Sequence, residues 1–238
     1  MRVAEVEVAA RDSVRGGTVR LRRSALAVAT LVLLIYGVWV ATYLLQGYDA
    51  RDFTATSLYF LNKSHASTVI RYDPTYHNYI PANKLGYDGQ FDYFIALDPV
   101  NARYYIDVPA YRYGRILYPM TARLLALGQP GLVPYTLLAV NLLAAAGGTL
   151  ALAAWLKRKR LSPWLALLFG LYPGLFIAFQ RDLNEPLAYA LAALGVYLFD
   201  FGGRRRVLWA GIAFGLAALA RESTLIFPLV YGLALLLR

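Results

Sequence analysis

The chain has 238 residues, 59% of them hydrophobic and only 16% charged, with a mean hydropathy of +0.46. A soluble domain carries about 25% charged residues, so the composition excludes an ordinary soluble protein and places the chain in the membrane class. The absence of cysteine excludes disulfides, thiol nucleophiles and cysteine metal sites. A net charge of +10 raises the question of nucleic acid. However, just over half of the 24 basic residues lie in three clusters: the arginines before residue 24, Lys157–Arg160 and Arg204–Arg206. Each cluster abuts an apolar run, as topology determinants do, and no nucleic-acid partner is expected.

Residues 1–24 read as a polar, cytoplasmic N-terminal tail ending in Arg20, Arg22 and Arg23. Residues 25–45 are apolar and uncharged, long enough to cross a bilayer core of roughly 30 Å. A signal peptide has a shorter core and a small-residue cleavage site. This run instead ends in Thr42-Tyr43-Leu44-Leu45 and reads as a retained first span.

Residues 46–131 form a long polar connection, balanced in charge and rich in tyrosine. Tyrosine there either anchors segments at headgroup depth or fills a small core. His65 and His77 share this loop without a metal-ligand spacing. Asn62-Lys63-Ser64 matches a glycosylation sequon, a motif too common to carry weight. Residues 115–127 predict an amphipathic helix along the interface. Further spans are expected at 132–156, at 164–179 with Pro173-Gly174 favouring a kink, and at 187–201, 207–220 and 224–237.

The expected fold is an all-α polytopic membrane protein with about six transmembrane helices and a long first extracytoplasmic loop containing interfacial helices. With the first arginine cluster in the cytoplasm, alternation also places Lys157–Arg160 and Arg204–Arg206 there, as the positive-inside rule requires. The long loop, the Arg181–Glu185 turn and the Arg221–Glu222 turn then share the opposite face. The last two hairpins echo each other faintly: Phe169-Gly170-Leu171 precedes Arg181-Asp182, and Phe214-Gly215-Leu216 precedes Arg221-Glu222. The chain stops one residue past an apolar run, which reads as a fragment of a longer polytopic protein.

Polar chemistry concentrates between Gly86 and Pro119. Tyr87-Asp88-Gly89-Gln90 reads either as a simple turn or as a turn presenting Asp88 ahead of a helix, since Phe91, Phe94, Ile95 and Leu97 have helical spacing. So placed, Asp88 suits a general base. Asp92, one turn on, would share its face and either raise its pKa or help hold a cation. Asp98-Pro99 reads as a helix end. Arg112 and Arg115, spaced i and i+3 ahead of Tyr118-Pro119, suit bidentate grip on a phosphate or diphosphate, or ordinary headgroup contact. Arg181, Asp182, Asn184 and Glu185 crowd one turn, and Arg221 and Glu222 another. They are either solvated helix ends or the rest of a site.

Together GYDGQFDYFIALDP, AYRYGRILYP, LYPG…RDLNEPLA and ALARES…FPL resemble a group of bacterial polytopic membrane proteins over about residues 20–238. These in turn resemble GT-C glycosyltransferases, including GPI mannosyltransferases and protein O-mannosyltransferases. The resemblance implies a GT-C-like N-terminal module with a catalytic acid in the first extracytoplasmic loop at Asp88. It also implies a polyprenyl-phosphate sugar donor and inversion at the anomeric carbon. The chain is shorter than such enzymes, and no DxD or ExD pair lies near Asp88, so a metal requirement does not carry over; a divalent cation stays open as a cofactor.

The expected function is transfer of a hexose from a polyprenyl-phosphate donor to a glycan, protein or lipid acceptor outside the cytoplasmic membrane. Asp88, Asp92 and Glu185 are the candidate catalytic acids. Tyr87, Gln90, Arg112, Arg115, Tyr118, Arg181, Asp182, Asn184, Arg221 and Glu222 are the candidate substrate contacts. The alternatives are a transporter or flippase for a lipid-linked sugar, disfavoured by nearly charge-free spans, and a non-catalytic envelope-assembly protein.

Overall fold

A computed structural model describes residues 2–64 and 86–237, with side chains from residue 23 onward. His65, His77, Tyr72, Tyr76 and Tyr79 lie outside the described residues. The described residues are helical throughout, without a strand. Two helices, Arg23–Leu45 within α1 (Arg2–Leu45) and Pro130–Arg158, are long and apolar enough to cross a membrane. Counting each bent helix pair as one span raises the number to four. The chain is therefore a membrane protein, all-helical among the described residues.

The expected third span is broken. Helix α7 (Leu167–Gly170) follows a 3-10 turn, and α8 (Pro173–Gln180) leaves it at 47°. Pro173 is the cause, because it has no N–H and fixes its own φ. Where the fourth and fifth spans were expected, the chain forms α9 (Glu185–Phe201) and α10 (Arg206–Ala220), of 17 and 15 residues, with a turn of 118° at Gly202-Gly203; together they count as at most one candidate span. Each is shorter than the roughly 20 residues a perpendicular crossing takes. The last apolar run, α11 (Ile226–Leu236), extends a short 3-10 turn and is also short.

Helix α6 (Val133–Arg158) is the axis of the molecule, with α1 and α9 packed against it. Small residues set the distance between helices. A Cβ added at Gly148 of α6 would meet Phe169 and Ala190, and one at Gly195 of α9 would meet the Phe214 ring of α10. Such positions permit close approach where no hydrophobic driving force separates helix from lipid.

At 26 residues, α6 is about 39 Å long, and its two ends differ in chemistry. At its C-terminal end the Lys157 ammonium reaches Ser24 at 2.6 Å, and Lys159 pairs with Asp200 at 2.9 Å. Arg158 lies over the Phe201 ring and Arg206 over Phe199. Residues that border all three basic clusters thus meet at one end of the bundle.

The long connection folds against the other end. Helix α2 (Leu58–Ser64) precedes the undescribed stretch, after which come α3 (Gly89–Leu97), α4 (Pro109–Tyr113) and α5 (Leu117–Leu125). Every residue of α3 is buried. Phe94, Ile95, Tyr118, Val133 and Leu137 form one core, so α3 and α5 are seated on the start of α6. Helix α5 covers Leu117–Leu125 of the expected 115–127, with Tyr118, Pro119 and Ala122 buried and Leu124 and Leu125 exposed. Arg123 donates to the Ala96 and Leu97 carbonyls, each at 2.8 Å, satisfying the C-terminal end of α3.

Gly89 opens α3 directly against the Arg181 carbonyl, where any Cβ would collide with backbone. We expect Gly89→Ala to cost about 1–3 kcal/mol by overpacking and to lower the unfolding temperature of the detergent-solubilised protein. An unchanged melting temperature would remove this contact from the account.

Candidate active site

A cavity of about 120 Å³ lies where α3, α4, the α8–α9 turn and the α10–α11 turn meet. Eight of the residues expected from sequence line it: Tyr87, Asp88, Asp92, Arg112, Arg115, Asn184, Glu185 and Arg221, with Tyr111 and Leu183 beside them. The segments are joined by ion pairs. Arg112 grips Asp88 through both carboxylate oxygens at 2.9 Å, and takes Asp107 at 2.7 and 3.0 Å. Arg115 forks onto Glu222 at 2.8 and 2.5 Å, and Arg221 pairs with Glu185 at 2.5 Å while reaching Asn184 at 3.3 Å. Planar, bidentate geometry of this kind is among the stronger forms of charge pairing.

The local sequence explains how these groups are aimed. Asp88 sits at the start of α3 but caps none of its N–H groups, so its carboxylate is free to turn toward Arg112. Its side chain is 52% exposed, at the cavity mouth. Asp92 lies one helical turn deeper, 7% exposed. Arg112 stacks 4.2 Å over Phe91, and Arg115 stacks 4.1 Å over Tyr111, so aromatic faces fix both guanidiniums. Burial works against the Arg112 charge, but Asp107 and Asp88 outweigh it and hold the guanidinium protonated. Arg115 lowers the pKa of Glu222 by hydrogen bonding.

Beneath the cavity lies a polar knot. Asp182 is fully buried with a left-handed backbone (φ +53°), which aspartate tolerates. Its Oδ1 accepts from the Tyr118 hydroxyl, and Asn141 Nδ2 donates to the Leu183 carbonyl at 2.9 Å and to the Tyr118 oxygen at 2.8 Å. Burial pushes the Asp182 carboxyl up to about 7, against the hydrogen bonds from Tyr118 and Asn141. Asp92, buried and near Asp182, is also raised well above the usual carboxylate range, first by burial and then by that neighbour's charge.

Five expected contacts do not line this cavity. Gln90 is turned to Ser57, accepting from its amide at 3.0 Å and its hydroxyl at 3.1 Å. Tyr118 and Asp182 belong to the knot, and Glu222 acts by holding Arg115. Arg181 faces a neighbouring cavity and lies 5.5 Å over the Tyr87 ring. Asp107 and Tyr111 are site residues that sequence reasoning did not single out. Asp107 sits five residues before Arg112 without a helical relation to it, so spacing gave no signal.

Among the described residues, no three His, Asp or Glu side chains are grouped as metal ligands. Asp88 and Glu185 are engaged by guanidiniums, so the residues present do not form a set for a divalent cation. No family model matches the chain, and no curated protein or solved structure matches it significantly.

The raised Asp182 pKa has a thermodynamic consequence. The folded protein holds a proton that the unfolded chain releases near pH 4, so this group favours folding at low pH. That contribution falls as pH rises from about 4 to about 7 and is lost above that. In Asp182→Asn the contribution is absent, so its melting temperature should vary less with pH across this window than that of the unsubstituted protein. Parallel curves for the two proteins would contradict the assignment.

Proposed function

We propose that the chain is a membrane glycosyltransferase of GT-C-like layout, moving a sugar from a polyprenyl-phosphate donor to a glycan, protein or lipid acceptor. The observation that carries this reading is the cavity itself. Three sequence segments place carboxylates and arginines around one polar pocket at one end of an apolar bundle. The reading places that end outside the cytoplasm, with about six crossings and the N-terminus inside. The gathering of the basic residues at the opposite end of α6 supports this orientation.

In this mechanism the acceptor oxygen bonds to the anomeric carbon as that carbon's bond to the phosphate oxygen breaks. The electron pair leaves on the phosphate, and the hydroxyl proton passes to Asp88. Attack opposite the leaving group inverts the configuration. Asp88 suits the role because it is half exposed at the cavity mouth and its oxygens are held in a fixed direction by Arg112. Asp92 lines the pocket one helical turn deeper, where burial works against its negative charge. Arg115 and Arg221, tied to Glu222 and Glu185, fix the far wall.

Asp88→Asn should lower transfer of labelled sugar from polyprenyl-phosphate donors by roughly a hundredfold to ten-thousandfold, without loss of donor binding in reconstituted liposomes. Transfer at the unsubstituted rate would remove Asp88 as the base. Donor binding with no transfer by the unsubstituted protein would instead favour the flippase or assembly alternative.

A further inference from the structure

Four arginines were expected as substrate contacts, and the structure separates them. Arg112, Arg115 and Arg221 are each neutralised by carboxylates of the protein. Arg181 is partly buried and has neither an ion-pair nor a hydrogen-bond partner among the described residues. A guanidinium carries five N–H donors in a rigid fork, and leaving such donors unsatisfied in a part-buried setting is costly.

The surroundings of Arg181 form a second cavity of about 180 Å³, lined by Trp39, Tyr43, Asp52, Phe53 and Gln180. Asp52 forms no ion pair with Arg181 among the described residues. Its Oδ2 accepts from the Asp49 amide at 3.2 Å and from the Tyr43 hydroxyl at 3.4 Å. Trp39 and Tyr43 lie in the last two turns of the first span, the depth at which tryptophan and tyrosine mark the lipid–water boundary. Tyr87 joins the two cavities: it lines the first, and Arg181 stacks on its ring.

We propose that the Arg181 cavity is a phosphate-binding subsite next to the carboxylate pocket, taking the phosphate of a prenyl-phosphate ligand at the bilayer surface. Arg181 supplies the fork that the other three arginines have already committed to protein carboxylates. The aromatic wall admits a lipid stem, and a sugar on that phosphate lies across Tyr87 toward Asp88. The prenyl-phosphate class rests on the transferase reading, whereas phosphate recognition by Arg181 does not.

The test is a binding titration, which requires no transfer. Purified protein in phosphatidylcholine nanodiscs is titrated with decaprenyl phosphate while tryptophan emission is followed. The chain has four tryptophans, so Trp39→Phe isolates the contribution of Trp39. We expect a saturable change carried by Trp39. Arg181→Gln should weaken it by about tenfold or more, as loss of a charged, bidentate contact does. Arg103→Gln, at an exposed arginine whose side chain donates to Tyr104, should leave it unchanged.

Parallel titrations with inorganic phosphate and with phosphatidylglycerol nanodiscs identify the source. Saturation at the lowest concentration by decaprenyl phosphate, phospholipid or free phosphate assigns the site to that ligand. The proposal is overturned if Trp39 responds to none of the three, or if Arg181→Gln binds as tightly as the unsubstituted protein. Should that variant fail to fold, phenylglyoxal modification of Arg181 in the unsubstituted protein decides. Slowing by decaprenyl phosphate supports the subsite, and an unchanged rate overturns it. Binding that depends on Arg181 without any sugar transfer would leave the subsite standing and remove the transferase reading.

Discussion

Arg115 and Glu222 stand 107 residues apart in the chain and meet through a two-pronged ion pair. That pair, with Arg112–Asp88 and Arg221–Glu185, is the constraint on which the site depends. Charges at the edge of an apolar bundle must find partners, because losing water there costs several kcal/mol per ion. The partners come from the long connection and from two short inter-helix turns. Pairing therefore selects the arrangement in which these segments converge. Apolar packing of α6 against α1 and α9 brings the segments near one another, and the carboxylate–guanidinium matches set how they fit.

The cost of this arrangement is carried below the cavity. Burial raises the pKa of both Asp92 and Asp182, and the charge of Asp182 adds to the rise at Asp92. Tyr118 and Asn141 satisfy one Asp182 oxygen and leave the other without a partner among the described residues. The result is a pocket whose exposed acid, Asp88, is distinct in environment from the acids beneath it. The neighbouring Arg181 cavity adds a guanidinium without an ion-pair partner among the described residues. Two pockets divided by Tyr87, one rich in paired charge and one with an uncommitted cation, suit a ligand with two chemically different ends.

Much of this was legible in the sequence. Apolar run lengths located the two clear spans, and Phe91, Phe94, Ile95 and Leu97 gave away α3 by their spacing. Charge placement alone indicated that Asp88, Glu185 and Arg221 share a face. Residue-level partnerships were not legible. Nothing in spacing tells that Gln90 turns to Ser57, that Tyr118 serves Asp182, or that Asp107 shares Arg112 with Asp88. Those pairings follow from how α3 and α5 seat on α6, a tertiary fact. The break before Pro173 was visible as a proline. The shortness of α9 and α10 comes from the Gly202-Gly203 turn and from where the polar turns begin.

The central claim is that long-range ion pairing assembles the site, and a charge-reversal cycle at Arg115 and Glu222 tests it most directly. Arg115→Glu and Glu222→Arg, measured singly and together, are compared by melting temperature in detergent and by decaprenyl-phosphate binding. The account predicts that each single reversal lowers both and that the double reversal recovers most of the loss. A double variant as impaired as the sum of the singles would contradict it, since the two residues would then act independently of each other.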